Sequence, residues 1–226
     1  MSSPVELAEA RHTASELALI YAAERLFAEN GIAGVPLRQI NQAANQKNIS
    51  AAHYHFGSRE GLILAVLEHR WLDLDRRRQA LLEDQSRPRD LRYYVEAMIV
   101  TLADELKPRA EGNHYLQFIQ QYERYKGGRA LARSMSPAGV EIYGRIEASI
   151  AYLPAATRKV RMRYLVNLVH GVLATAEHEL GIGELQFDDV PMIASNLVDM
   201  VVAALSAPLS IDTMAMLDKA NVQIVR

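Results

Sequence analysis

The chain has 226 residues, half of them apolar, a formal net charge of -2 and no cysteine. That length carries one large domain or two small ones around a sizeable core, and the apolar fraction excludes disorder. Lack of cysteine excludes disulfides, thiolate metal sites and a cysteine redox sensor, and the mild acidity argues against a protein that is basic over its whole surface.

No run of about 18 apolar residues is expected to span a bilayer. The first ten residues, MSSPVELAEA, lack the basic start and apolar run of a secretory signal. The expected address is the cytoplasm, with no membrane partner.

Residues 1 to 12 read as a loose arm. A first helix then starts on a capping box, Thr13 with Glu16 three residues on, and Leu19, Ile20, Ala23, Leu26 and Phe27 recur along one face. Gly31 supplies its left-handed stop. The second helix begins near Pro36, whose missing amide suits the first helical position, and its inner face is Leu37, Ile40 and Ala44. The turn from Asn45 to Lys47 has no apolar residue, and Asn45 is one of the few non-glycine types that tolerates positive φ. The third helix is expected from Ile49 to His55 with Asn48 as its cap. Ser50, Ala51 and Ala52 are small enough to let it approach base edges, to which Ser50 and His53 can hydrogen-bond.

Two short helices joined by a polar turn, with a cation just beyond, make a helix-turn-helix that can enter a DNA groove. Local charge agrees with this. From Gly31 to Arg59 there is no Asp or Glu, whereas Arg38, Lys47 and Arg59 are cationic and His53 and His55 can become so. Because salt screens charge within about 8 Å, this local distribution outweighs the net acidity.

The run Tyr54, His55, Phe56, Gly57, Ser58, Arg59, Glu60, Gly61, Leu62 carries a family resemblance, supported by Ala-Glu-Asn-Gly at Ala28 to Gly31 and by Arg38 and Ile40. It resembles the N-terminal DNA-binding domain of the tetracycline-repressor (TetR) family of bacterial transcriptional regulators, over roughly residues 15 to 70. The resemblance implies a ligand-responsive transcriptional regulator, and the preferred expectation is a repressor that binds a near-palindromic double-stranded operator as a homodimer. It implies that Tyr54 and His55 hold phosphates, that Phe56 anchors the third helix in the core, and that Arg59 faces the same backbone. The expected DNA-binding set is Arg38, Lys47, Asn48, Ser50, Ala51, His53, Tyr54, His55 and Arg59. Two departures stand out: Val35 and Pro36 replace a usual pair of threonines, and the turn from Ala44 to Asn48 is one residue longer. A slightly different tilt of the third helix is expected from them.

One long helix is expected from Arg59 to about Asp84, with Leu62, Ala65, Val66, His69 and Leu72 at helical spacing. Its charged run, Asp73, Asp75, Arg76, Arg77 and Arg78, reads as a solvated face. Prolines divide the rest into helices from Pro88 to Leu106, Pro137 to Leu153, Pro154 to Leu180 and Pro191 to just before Pro208. Between them, Asn113 to Tyr125 forms a short segment stopped by Gly127 and Gly128. The tail from Leu209 is compatible with one short helix or with fraying. No strand pattern occurs. The expected architecture is all-α: an N-terminal three-helix DNA-binding domain with its arm (1–58), then a larger helical domain for ligand binding and dimerisation (59–226).

Leu165, Leu168, Val169, Val172, Leu173 and Ala176 form one broad apolar stripe, and Ile193, Leu197, Met200, Val201, Ala204 and Leu205 form another. Docked on their copies, two such helices would build a four-helix bundle across a two-fold axis, so a homodimer is expected. The stretch from Asn113 to Tyr122 mixes aromatic bulk with hydrogen-bonding tips, the composition of a mostly apolar pocket. Its expected lining is His114, Tyr115, Gln117, Phe118, Gln121 and Tyr122, joined by Tyr94, Met98, Tyr125 and His170, around a small hydrophobic ligand.

Two other classes are compatible with the residues. A helical enzyme would draw on His114, His170, Glu177 and His178, but His170 and His178 are eight apart, outside the spacing that puts two ligands on one ion. No phosphate loop or nucleophile elbow appears, so no catalytic residue, metal or cofactor is expected. An adaptor that kept the fold without binding DNA is the other alternative.

Overall fold

The computed structural model describes residues 12–109, 112–126 and 136–224, and every regular element among them is a helix. In chain order these are α1 (Ala14–Asn30), α2 (Leu37–Ala43), α3 (Ala51–Phe56), α4 (Arg59–Glu83), α5 (Leu91–Ala103), α6 (Tyr115–Lys126), α7 (Pro137–Ser149), α8 (Ala155–Ile182), α9 (Val190–Ser206) and α10 (Ile211–Ile224). Single 3₁₀ turns follow α5 and precede α9. The expected arm before His12 and the glycine stop at Gly127 and Gly128 lie outside the described residues.

Local chemistry sets most boundaries. Thr13 and Glu16 form the capping box of α1, and Ser58, Asp90 and Ser136 each accept a backbone N–H from the first turn of α4, α5 and α7. Pro36 precedes α2 as an extended residue that makes no side-chain cap, as loss of the threonine hydroxyl requires. Asn45 takes φ 52° in the turn, the left-handed conformation that its side chain tolerates. The third helix starts two residues later than expected: Asn48 Oδ1 accepts the Ser50 N–H at 2.9 Å, and that local turn holds residues 48 to 50 out of the helix.

Helix α1 packs on α2, α3 and α4, and along another face on α6. Beyond it, α5 is covered by α7 and α9, α8 by α6 and α9, and α4 by α5 and α7. Packing is therefore continuous across the expected boundary at residues 58 and 59. Phe27 of α1 stacks on Phe118 of α6 at 6.2 Å between centroids, and Phe118 stacks in turn on Tyr122. Beside this contact, Glu24 of α1 forms a buried ion pair with Arg70 of α4.

One expectation fails outright. The segment Phe187–Ser206 is long and apolar enough to cross a bilayer by length and composition. Here it packs on α5 and α8, burying Ala194, Leu197, Val198, Val201 and Leu205. Helical length is what the residue-by-residue reading missed, because Ser195, Asn196 and Asp199 interrupt the apolar run without outweighing it.

Candidate nucleic-acid interface and ligand cavity

The α2–turn–α3 unit is held by one buried polar side chain. Asn41, in the middle of α2, donates from Nδ2 to the Ile49 carbonyl and accepts the Ala52 N–H at Oδ1 at 2.8 Å. A single amide thus satisfies one donor and one acceptor at the start of α3 and fixes its angle to α2. Spacing gave no sign of this role, since a polar residue on a short amphipathic helix reads as solvated.

Arg38, Gln39, Gln42, Asn45, Lys47, Asn48, Ile49, Ser50, His53 and Tyr54 are exposed on this unit, and Arg38, Gln39, Gln42 and Ile49 line one shallow depression. Ile49 and Tyr54 are each 81% exposed, which is unusual for side chains of that size. Gln39, Gln42, Asn45 and Ile49 were absent from the sequence-derived set. Three residues of that set lie elsewhere. Ala51 is buried, facing the packed side of the helix. His55 turns toward α1, with Nδ1 3.4 Å from Glu16. Arg59 donates from Nη1 to the Ile32 carbonyl and so ties the start of α4 to the loop after α1.

Between α3 and α4 the turn is as tight as a backbone allows. Gly57 sits at φ 72°, and Ser58 Oγ accepts the Gly61 N–H at 3.0 Å. Gly61 lies so close to the end of α3 that a Cβ there would overlap the Phe56 carbonyl oxygen.

A second site lies where α4 to α8 converge. A cavity of about 50 Å³ is lined by Trp71, Leu74 and Arg78 of α4, Met98 and Leu102 of α5, Tyr115 and Ile119 of α6, Ser136, Gly139, Ile142 and Tyr143 of the α7 region, and Val166, Val169 and His170 of α8. Of the ten residues expected to line a ligand pocket, Met98, Tyr115 and His170 line this cavity. The rest of α6 is used differently. Phe118 and Tyr122 face inward in the stack on α1, the Gln121 side chain lies beside Gly31, and Tyr125 reaches Glu60 at 3.4 Å. The Gln117 N–H donates to Glu177, the His114 N–H points at Glu24, and Tyr94 packs edge-on against Tyr93. An amphipathic pattern shows that α6 has two useful faces; it does not say which neighbour covers each.

The arginine run also departs from a solvated face. Arg77 reaches Asp73, Asp104 and Glu105, while Arg78 is only 6% exposed. A larger groove of about 540 Å³ opens on the outer surface between α5 and α9, over Val100, Leu106, Pro191, Ala194 and Val198. The charged residues at its rim are already paired, Arg92 with Asp199, Glu96 with Arg87 and Lys107 with Asp104.

Of the apolar stripes on α8 and α9, Leu165, Val169, Leu173, Ala176, Leu197, Val201 and Leu205 are buried inside the protomer. Leu168, Val172 and Ile193 are half-buried, and Met200 and Ala204 are exposed. The stripes were therefore mainly the protomer's own core. What they leave outside is a shallow apolar patch at Tyr164, Leu168, Met200 and Ala204. Among the described residues, no group of three or more His, Asp or Glu side chains is arranged to hold a metal ion.

The described residues thus form a helix-turn-helix mounted on a helical body. Residues 19–66 match the profile of the bacterial regulatory proteins, tetR family. A TetR-family transcriptional regulator from Streptomyces coelicolor shares the fold with a TM-score of 0.54 and 21% identity, over 91% of this chain and 95% of its own. NalD, the secondary repressor of the MexAB-OprM multidrug efflux pump in Pseudomonas aeruginosa, gives 0.53 and 20%, over 84% and 96%. No curated protein matches the chain.

Proposed function

We propose that the protein is a homodimeric repressor that acts in the cytoplasm and sets α3 of each protomer into the major groove of a near-palindromic operator. The observation that carries this reading is the exposed, acid-free surface from Arg38 to Tyr54, with Ile49 and Tyr54 standing clear of the core. Arg38 and Lys47 supply phosphate contacts, Ser50 and His53 hydrogen-bond to base edges, and Ile49 offers an apolar contact to a thymine methyl. Tyr54 donates to a phosphate. Residues 1–58 act as the DNA-binding part and residues 59–226 as the ligand-binding and dimerising part, coupled by α4.

Dimerisation uses the patch at Tyr164, Leu168, Met200 and Ala204, so that half-sites lie one helical turn of DNA or a multiple apart. A small molecule in the cavity between α4 and α8 releases DNA if it binds the DNA-incompetent arrangement more tightly. NalD, which has a similar fold, is named as the secondary repressor of a multidrug efflux pump, which supports the repressor reading.

Selection of bound duplexes from a random pool tests the proposal. A two-fold symmetric consensus is expected, with affinity that falls steeply with salt. Failure to enrich any sequence, with salt-independent retention, would leave the adaptor reading.

A further inference from the structure

We infer that the ligand of the core cavity is an amphipathic anion, a small apolar molecule carrying a carboxylate that pairs with Arg78. The inference rests on the cavity being the ligand site proposed above.

Arg78 is the one buried cation among the described residues that has no carboxylate in ion-pair contact. Arg70, the other buried arginine, is held by Glu24 through two hydrogen bonds. Among the described residues Arg78 donates only from Nε to Thr101 Oγ1 at 3.2 Å, and neither Nη group at the cavity wall has an acceptor among them. The nearby carboxylates are committed elsewhere. Glu105 takes Arg77 and Arg109, Glu123 takes His170, and Asp75 accepts the Ala138 N–H at 2.9 Å.

An arginine in such a site carries a large desolvation penalty unless an anion reaches it. Burial pushes its pKa down to about 10, so it still keeps its charge at neutral pH. The guanidinium fork matches a carboxylate in a bidentate pair, and the remaining walls, Leu74, Met98, Leu102 and Ile142, suit an alkyl or aromatic body. With about 50 Å³ of space, the walls must part to admit such a body. Trp71, Tyr143 and Val166 are the half-exposed lining residues by which it would enter.

Trp71 is the single tryptophan of the chain and lines this cavity, so its emission reports occupancy. The full-length protein is titrated with octanoate, 1-octanol and octylamine, following emission and Tm. Octanoate is expected to bind saturably and raise Tm, about tenfold or more tighter than 1-octanol, with octylamine weakest. Arg78→Gln should bring octanoate down to the level of 1-octanol and leave 1-octanol unchanged, while Arg78→Lys keeps part of the preference. Circular dichroism checks that the variants fold, and the three-probe comparison on the unmodified protein decides by itself if they do not. Equal binding of octanoate and 1-octanol, or an octanoate preference that survives Arg78→Gln, overturns the anion while the cavity stands as a ligand site. If no probe alters Trp71 emission or Tm, the ligand-site reading falls and the anion with it.

Discussion

Glu24 and Arg70 form a bidentate ion pair, at 2.8 and 2.6 Å, that is sealed between α1 and α4. Burial opposes the Arg70 charge, but Glu24 more than offsets it and holds the guanidinium above its usual range. The His114 N–H also points at Glu24 and the Tyr115 ring lies against Arg70, so the start of α6 closes over the same pair. Glu24→Ala should lower the unfolding free energy by about 3–5 kcal/mol, because it strands a buried cation. Replacing both residues with methionine should recover most of that loss. Urea denaturation of the two variants checks this, and a double variant as unstable as the single one would contradict it.

Two buried groups act on the pH profile of stability in opposite directions. Burial pushes Glu177 up to about 7 from 4.5, against the two backbone N–H groups of Leu116 and Gln117 that it accepts. Between those values the folded state binds more protons than the unfolded state, so this group lowers stability as pH rises. Burial, helped by the Arg70 charge, pushes His69 down to about 4 from 6.5. There the unfolded state binds more protons, and stability rises with pH. Each effect has a ceiling of about 3 kcal/mol, and they largely cancel between pH 4.5 and 6.5. Glu177→Gln should therefore expose acid sensitivity below pH 6.5, and His69→Gln should expose a loss of stability as pH rises toward 7. Denaturation at pH 5 and pH 8 separates them.

Arg59 and the pair Arg38 and Lys47 should behave differently on substitution. Arg59→Ala removes a hydrogen bond to the Ile32 carbonyl and should cost about 1–2 kcal/mol of stability. Arg38→Ala and Lys47→Ala should leave stability unchanged and each reduce the salt slope of DNA binding by about one. Parallel thermal melts and salt titrations distinguish the two kinds of cation.

Asn41→Ala should abolish DNA binding while leaving the helices beyond α4 folded. It strands the Ala52 N–H and the Ile49 carbonyl at the start of α3, at about 1–3 kcal/mol each. Hydrogen exchange should show α2 and α3 losing protection while α8 and α9 keep theirs.

Tyr164→Glu combined with Met200→Glu should give a monomer at micromolar concentration by mass measurement, since both residues belong to the exposed patch. Loss of cooperative operator binding should accompany it. A persistent dimer would move the interface elsewhere, with the exposed Ile211, Met214 and Met216 of α10 the next surface to test.

Helix boundaries were legible because caps and breakers act over a few residues. Thr13 with Glu16, Gly31, and the prolines at 137, 154 and 191 each impose a local backbone constraint that no distant contact reverses. What covers a face was not legible. Val169 and Leu173 belong to an apolar stripe whether a second protomer or α6 meets it. Arg77 and Arg78 are adjacent in a charged run, yet a 100° turn between successive helical residues puts one among carboxylates and the other at the cavity wall. The same limit hid Asn41, whose value lies in two backbone groups across the turn, at Ile49 and Ala52.

The absence of space at Gly61 has a mechanical consequence. Helices α3 and α4 meet without a hinge, so the recognition helix is the short arm of a lever whose long arm reaches the cavity. At 1.5 Å per residue the stretch of α4 from Arg59 to Leu74 at the cavity extends about 22 Å, and one degree of tilt pivoted at the cavity displaces α3 by about 0.4 Å. A tilt of only a few degrees at the cavity would thus shift α3 by an ångström or more, with no refolding of either helix.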